Sequence, residues 1–213
     1  MRFSRVAVLV PLLAFSTMTA AANSITIFNT GVSNTNALLA AGAVDPHYAI
    51  TANLVSGNSA FVPTVTGFPF GCCWVPQGPN SQWIAPATDT NGPVGNYTYT
   101  TTFNLAGLNP ATASLSGNWT TDNNGVNIIL NGNNLGFTTS FTSFFGFNNL
   151  FSATSGFVSG VNTLQFVVFN GGGPTGLRVE ITGNAAPVNQ VPEPGTLLLV
   201  GSGLVGAWLR RRR

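Results

Sequence analysis

Between residues 23 and 191 the chain never sustains apolar residues at the three-to-four spacing of an amphipathic helix. It offers short runs rich in Val, Ile, Thr, Tyr and Phe, each cut off by Gly, Asn or Pro. Such side chains fit a pleated, half-buried surface, and the punctuation limits each run to strand length. Strands are expected at residues 24–29, 48–55, 61–66, 97–103, 113–121, 126–130, 163–170 and 177–182. Residues 97–103 alternate aromatic side chains with threonines, as a strand with one buried face requires. Asn123-Asn124-Gly125 and Asn131-Gly132 are the dipeptide chemistry of tight hairpins with positive φ, and Gly171-Gly172-Gly173-Pro174 separates the last two runs. Residues 138–155, rich in Phe, Ser and Asn, are read as a long loop capping the sheets. The expected fold is all-β: an antiparallel β-sandwich or jelly roll, flanked by an N-terminal signal peptide and a short C-terminal hydrophobic helix.

Only 6% of the 213 residues are charged, and none is lysine. Six of the seven basic residues sit at the ends, at Arg2, Arg5, Arg210, Arg211, Arg212 and Arg213. The body keeps Arg178 alone against Asp45, Asp89, Asp122 and Glu180, a net of −3. One arginine cannot neutralise a row of phosphates, so nucleic acid is excluded as a partner. A hydrophobic content of 44%, with 16 Phe and 4 Trp, supplies a core, so the low charge does not signal disorder.

The ends read as addresses. Arg2 and Arg5 precede an apolar stretch from Val6 to Phe15, and Ala20-Ala21-Ala22 places small residues for cleavage before Asn23. The apolar stretch is shorter than the roughly 20 residues a spanning helix needs, which identifies residues 1–22 as a secretory signal peptide. The sandwich then occupies 23–185, a linker 186–191, and a sorting segment 192–213. That segment opens with Pro192-Glu193-Pro194, which cannot continue a helix or a ladder. An apolar run over 196–209 follows, reaching about 21 Å as a helix against a hydrocarbon core of about 30 Å. The closing arginines, Arg210 to Arg213, should stay cytoplasmic and leave the body outside.

The order of Pro-Glu-Pro, short apolar helix and terminal arginines resembles the PEP-CTERM sorting signal of Gram-negative bacteria. The resemblance implies recognition of Pro192, Glu193 and Pro194 by the membrane protease exosortase, and transient membrane contact through 196–209. It also implies a final place at the cell surface, outer envelope or extracellular matrix, beside exopolysaccharide and biofilm. Signal peptidase would be the other processing partner. Several pieces of the body, including Ser81-Gln82-Trp83-Ile84, Leu115-Ser116-Gly117-Asn118-Trp119 and Ile129-Leu130-Asn131-Gly132, are similar to cargo domains that resemble galactose-binding-like jelly rolls.

No residue is assigned a catalytic role. His47, in Asp45-Pro46-His47, is read as a hydrogen-bonded loop residue at a strand entrance rather than a base. No G-x-S-x-G turn is present. A glycosidase needs two facing carboxylates, and Asp122 is read as a turn residue while Arg178 and Glu180, two apart on one strand face, form an ion pair. No metal site and no cofactor are expected; Asp122, Asn123 and Asn124 offer oxygens to calcium but lack EF-hand spacing. Adjacent Cys72 and Cys73 in an oxidising compartment leave three arrangements open: a vicinal disulfide, intermolecular bridges, or buried thiols beside Trp74. Trp83, Trp119, Asp122 and Asn131 are the candidate ligand contacts, with tryptophan as sugar platform and amide or carboxylate as hydrogen-bonding partner. The expected function is that of a non-enzymatic exported surface or matrix protein associated with polysaccharide. The rivals are an extracellular glycan hydrolase and a self-assembling adhesin or fibre subunit.

Overall fold

The computed structural model describes residues 21–50, 59–188 and 210–211. The signal peptide, the Pro192-Glu193-Pro194 element, the 196–209 helix, Arg212 and Arg213 lie outside them, as does most of the strand expected at 48–55. Residues Ala22–Val188 form one compact unit. Among the described residues no helix is long and apolar enough to cross a membrane.

Ten strands make up the described sandwich: β1 (Asn23–Ser24), β2 (Val44–Ile50), β3 (Ser59–Phe61), β4 (Gly95–Asn104), β5 (Ser114–Asp122), β6 (Asn124–Leu130), β7 (Asn133–Asn134), β8 (Asn149–Ala153), β9 (Val161–Asn170) and β10 (Gly176–Ala185). They form a four-stranded sheet, β1-β10-β5-β8, and a six-stranded sheet, β3-β2-β4-β9-β6-β7. Every pairing is antiparallel. The all-β sandwich expected from the run-and-turn pattern is what the chain forms.

The inner faces meet in one core. Tyr97, Tyr99, Ile128, Leu130, Leu164, Phe166 and Val168 of the larger sheet pack with Leu115, Trp119, Phe151, Val179 and Ile181 of the smaller. The Phe166 ring lies 5.8 Å from Trp119 and 5.6 Å from Phe151, bridging the two layers. In β4 the alternation works as expected: Tyr97, Tyr99, Thr101 and Phe103 are buried and the residues between them are not.

Three expectations are corrected. Asn123-Asn124-Gly125 is not a hairpin, because β5 and β6 belong to different sheets and the segment carries the chain across the sandwich edge. None of those three residues has positive φ, whereas Asn131 (φ 50°) and Gly132 (φ 82°) do and close the β6–β7 hairpin. Residues 138–155 are not all loop: β8 pairs along β5 with Leu115 opposite Ala153 and Trp119 opposite Asn149. Of the strand expected at 24–29, Ser24 pairs with Asn184 and the Ile25 N–H donates to the Gly183 carbonyl at 2.8 Å. Beyond it the Asn29 side chain takes over, its Oδ1 accepting the main-chain N–H of Ile181.

Candidate functional site

The outer face of the four-stranded sheet has two halves of different character. β10 and β5 run with Glu180 opposite Asn118 and Thr182 opposite Ser116, while β5 and β8 place Ser116 opposite Ser152 and Asn118 opposite Leu150. Strand alternation turns these six side chains to one side. They floor an open groove of 750 Å³, walled by Asn29, Asn36 and Asn80 from the loops. Ser116, Ser152, Thr182 and Leu150 are exposed, Leu150 at 74%. Asn118 Oδ1 is shut off from solvent without a hydrogen-bond partner among the described residues.

The other half of the same face is roofed. Arg178, 4% exposed, points outward from β10 into the loop that follows β3. Its Nε donates to Ser81 Oγ at 2.8 Å, its Nη1 to the Pro76 carbonyl at 2.6 Å, and its Nη2 to Glu180 Oε1 at 3.4 Å. The guanidinium lies 4.3 Å from the Phe147 ring centre. The expected Arg178–Glu180 ion pair is therefore present, as part of a buried clamp between loop and sheet. Glu180 Oε1 also accepts Ser81 Oγ–H at 2.8 Å.

Beyond Arg178 the roof is aromatic. Trp74 and Trp83 stack at 4.2 Å between ring centres. Trp83 donates its indole N–H to the Val75 carbonyl, and Trp74 donates to Asp122 Oδ2 at 2.6 Å. Cys72 and Cys73, immediately before Trp74, are joined as a vicinal disulfide, which selects one of the three arrangements the sequence left open. Burial pushes the Asp122 carboxyl up to about 6, against the indole and the Asn123 amide, whose hydrogen bonds pull it down.

The sequence-derived ligand contacts do not converge on the groove. Trp83 and Trp119 are both 0% exposed and offer no ring to a ligand, because each is consumed in packing. Asn131 is spent on its own turn: its Nδ2 donates to Gly156 O and Asn162 Oδ1, and its Oδ1 accepts from Thr163 N. Asp122 is bound by Trp74 and Asn123 side chains rather than by the turn backbone expected of it. His47 stacks on Phe28 with ring centres 3.6 Å apart. Asp45 is held by the main-chain N–H groups of Gly31, His47 and Tyr48, so its carboxylate orients the backbone and not the imidazole. Sequence reasoning missed the groove because its polar residues, on alternate strand positions, have the pattern of any solvated sheet face.

Asp122 lies opposite Gly176 and Glu180 opposite Asn118, four positions apart along paired strands. Four residues of strand set their Cα positions about 13 Å apart. Among the described residues no group of three His, Cys, Asp or Glu side chains is placed to hold a metal ion.

Compared with known protein families, residues 190–213 match the PEP-CTERM protein-sorting motif. Of that segment Arg210 and Arg211 are described, both helical and exposed. No curated protein matches the chain, and no solved structure does. The motif supports an exported protein of the cell envelope or surface that exosortase sorts. The resemblance of the sandwich to galactose-binding-like jelly rolls gains no match from either comparison.

Proposed function

We propose that this protein is a non-enzymatic β-sandwich of the cell surface or extracellular matrix, delivered there by exosortase processing and associated with extracellular polysaccharide. The observation that carries the sorting is the motif at 190–213, with Pro192, Glu193 and Pro194 as the recognised residues and Arg210 to Arg213 as the cytoplasmic stop. The non-enzymatic reading is supported by how the body's carboxylates are used. Asp45 orients three backbone N–H groups, Asp89 accepts from Asn91 N, Asp122 holds Trp74, and Glu180 clamps Arg178. Each has a structural task. A surface made of Asn, Ser and Thr suits contact with a hydrated, uncharged matrix, in which hydroxyl and amide groups exchange hydrogen bonds without a desolvated charge.

Replacing Pro192, Glu193 and Pro194 together by alanine in the native host tests the sorting. The expected result is unprocessed protein held in the inner-membrane fraction, while wild type reaches the outer fractions. Equal delivery of the triple variant would contradict it.

A further inference from the structure

We propose that the groove over β10, β5 and β8 binds a neutral, hydroxyl-rich glycan segment and disfavours polyanionic ones. This rests on the polysaccharide association proposed above and gives it a place and a ligand class. The lining carries unspent hydrogen-bonding groups: the side chains of Ser116, Asn118, Ser152 and Thr182 take part in no hydrogen bond among the described residues. Half-buried Asn118 lies in the middle of the floor, between Glu180 on one neighbouring strand and Leu150 on the other. Leu150 and the half-buried Phe137 add an apolar strip for the C–H face of a sugar ring. The groove's 750 Å³ falls within the range of about 300–1,000 Å³ typical of ligand sites.

Charge sets the class. Among the described residues Glu180 is the only ionisable side chain in the lining. The neighbouring cation, Arg178, is buried under the loop and donates to Ser81, Pro76 and Glu180. The groove therefore offers a polyanion one carboxylate and no exposed cation, so a uronate or phosphate chain gains no charge-assisted contact there. A protein partner would need large buried anchors, and the groove floor exposes one, Leu150.

Affinity electrophoresis of the purified exported protein tests this, in native gels containing dextran, laminarin, hydroxyethylcellulose or alginate. Ser116→Trp and Thr182→Trp, both at exposed positions, wedge the groove without entering the core; unchanged unfolding temperatures verify that. The expected result is retardation by at least one neutral glycan and none by alginate, with apparent affinity falling at least tenfold in both variants. Retained neutral binding in the wedged variants would overturn the groove while leaving polysaccharide association standing. Retardation by alginate equal to or above that by neutral glycans would overturn the ligand class. No retardation in any gel would overturn both the groove and the association itself.

Discussion

Trp74 and Asp122, 48 positions apart in the chain, are joined by an indole N–H that donates to the carboxylate Oδ2 at 2.6 Å. This bond ties the disulfide-bearing loop to the last residue of β5, where the chain leaves one sheet for the other. Asn123 Nδ2 donates to the other carboxylate oxygen at 2.7 Å, so both oxygens are engaged in a buried place. Removing one donor leaves a buried acceptor short of a partner. Trp74→Phe is expected to cost about 1–3 kcal/mol in urea unfolding; a change within error would show that the bond is not holding the loop.

The same carboxylate makes stability depend on pH. Its folded-state value of about 6 stands above the ordinary 3.8, with burial as the main cause. Between those values the folded chain binds a proton that the unfolded chain lacks, so stability falls as pH rises through that window. Asp45 is moved in the same direction, again mainly by burial. The unfolding free energy in urea titrations should therefore be higher at pH 4.5 than at pH 7.5, by on the order of 1–2 kcal/mol. Asp122→Asn should flatten most of the difference.

Arg178 joins the loop at Pro76 and Ser81 to the four-stranded sheet. A Cβ on Gly78 would run into its Nη2, so the loop passes directly over the guanidinium. Arg178→Ala strips three acceptors of their donor and leaves Glu180 without its cation, an expected loss of about 3–5 kcal/mol by chemical denaturation. A loss under about 1 kcal/mol would mean that the clamp is replaced by solvent at no cost.

Gly125 lies against Trp119, and a Cβ there would meet Cη2 of the indole, with Thr139 Oγ1 on another side at 2.9 Å. Its φ is not in the left-handed region, so the requirement is for space alone. Gly125→Ala is expected to destabilise by about 1–3 kcal/mol through overpacking, measured by thermal unfolding of the purified protein.

The Tyr99 hydroxyl is buried without a hydrogen-bond partner among the described residues. Burial also drives its ionisation far above the usual phenol range. Tyr99→Phe removes that orphan group at nearly constant shape. Stability should be unchanged or rise by up to about 1 kcal/mol, and a clear loss would reveal a partner for the hydroxyl.

The layered core was legible in the sequence because strand alternation is a local signal. Tyr97, Tyr99 and Phe103 declare their buried face within seven residues, and Asn131-Gly132 declares its turn within two. What was not legible is non-local. Nothing near Asn123 says that the strands on either side enter different sheets; that follows from which partners β10 and β9 offer them. β8 was hidden because Asn149, Ser152 and the exposed Leu150 give an edge strand little alternation to show. The tryptophans were misassigned for a related reason. An indole's sequence neighbours do not reveal whether its ring is stacked on another, as Trp83 is on Trp74. The groove needed three strands in register before Thr182, Ser116 and Ser152 became one surface.

The central claim, that the C-terminal segment routes the sandwich outward and is then removed, is tested most directly by intact-mass analysis of the protein recovered from the outer fractions of its native host. The account predicts a chain beginning near Asn23, two mass units lighter than its thiol form through the Cys72–Cys73 bond, and ending at or near Pro192-Glu193-Pro194. A mature protein that retains Arg210 to Arg213 and stays in the inner membrane would contradict it.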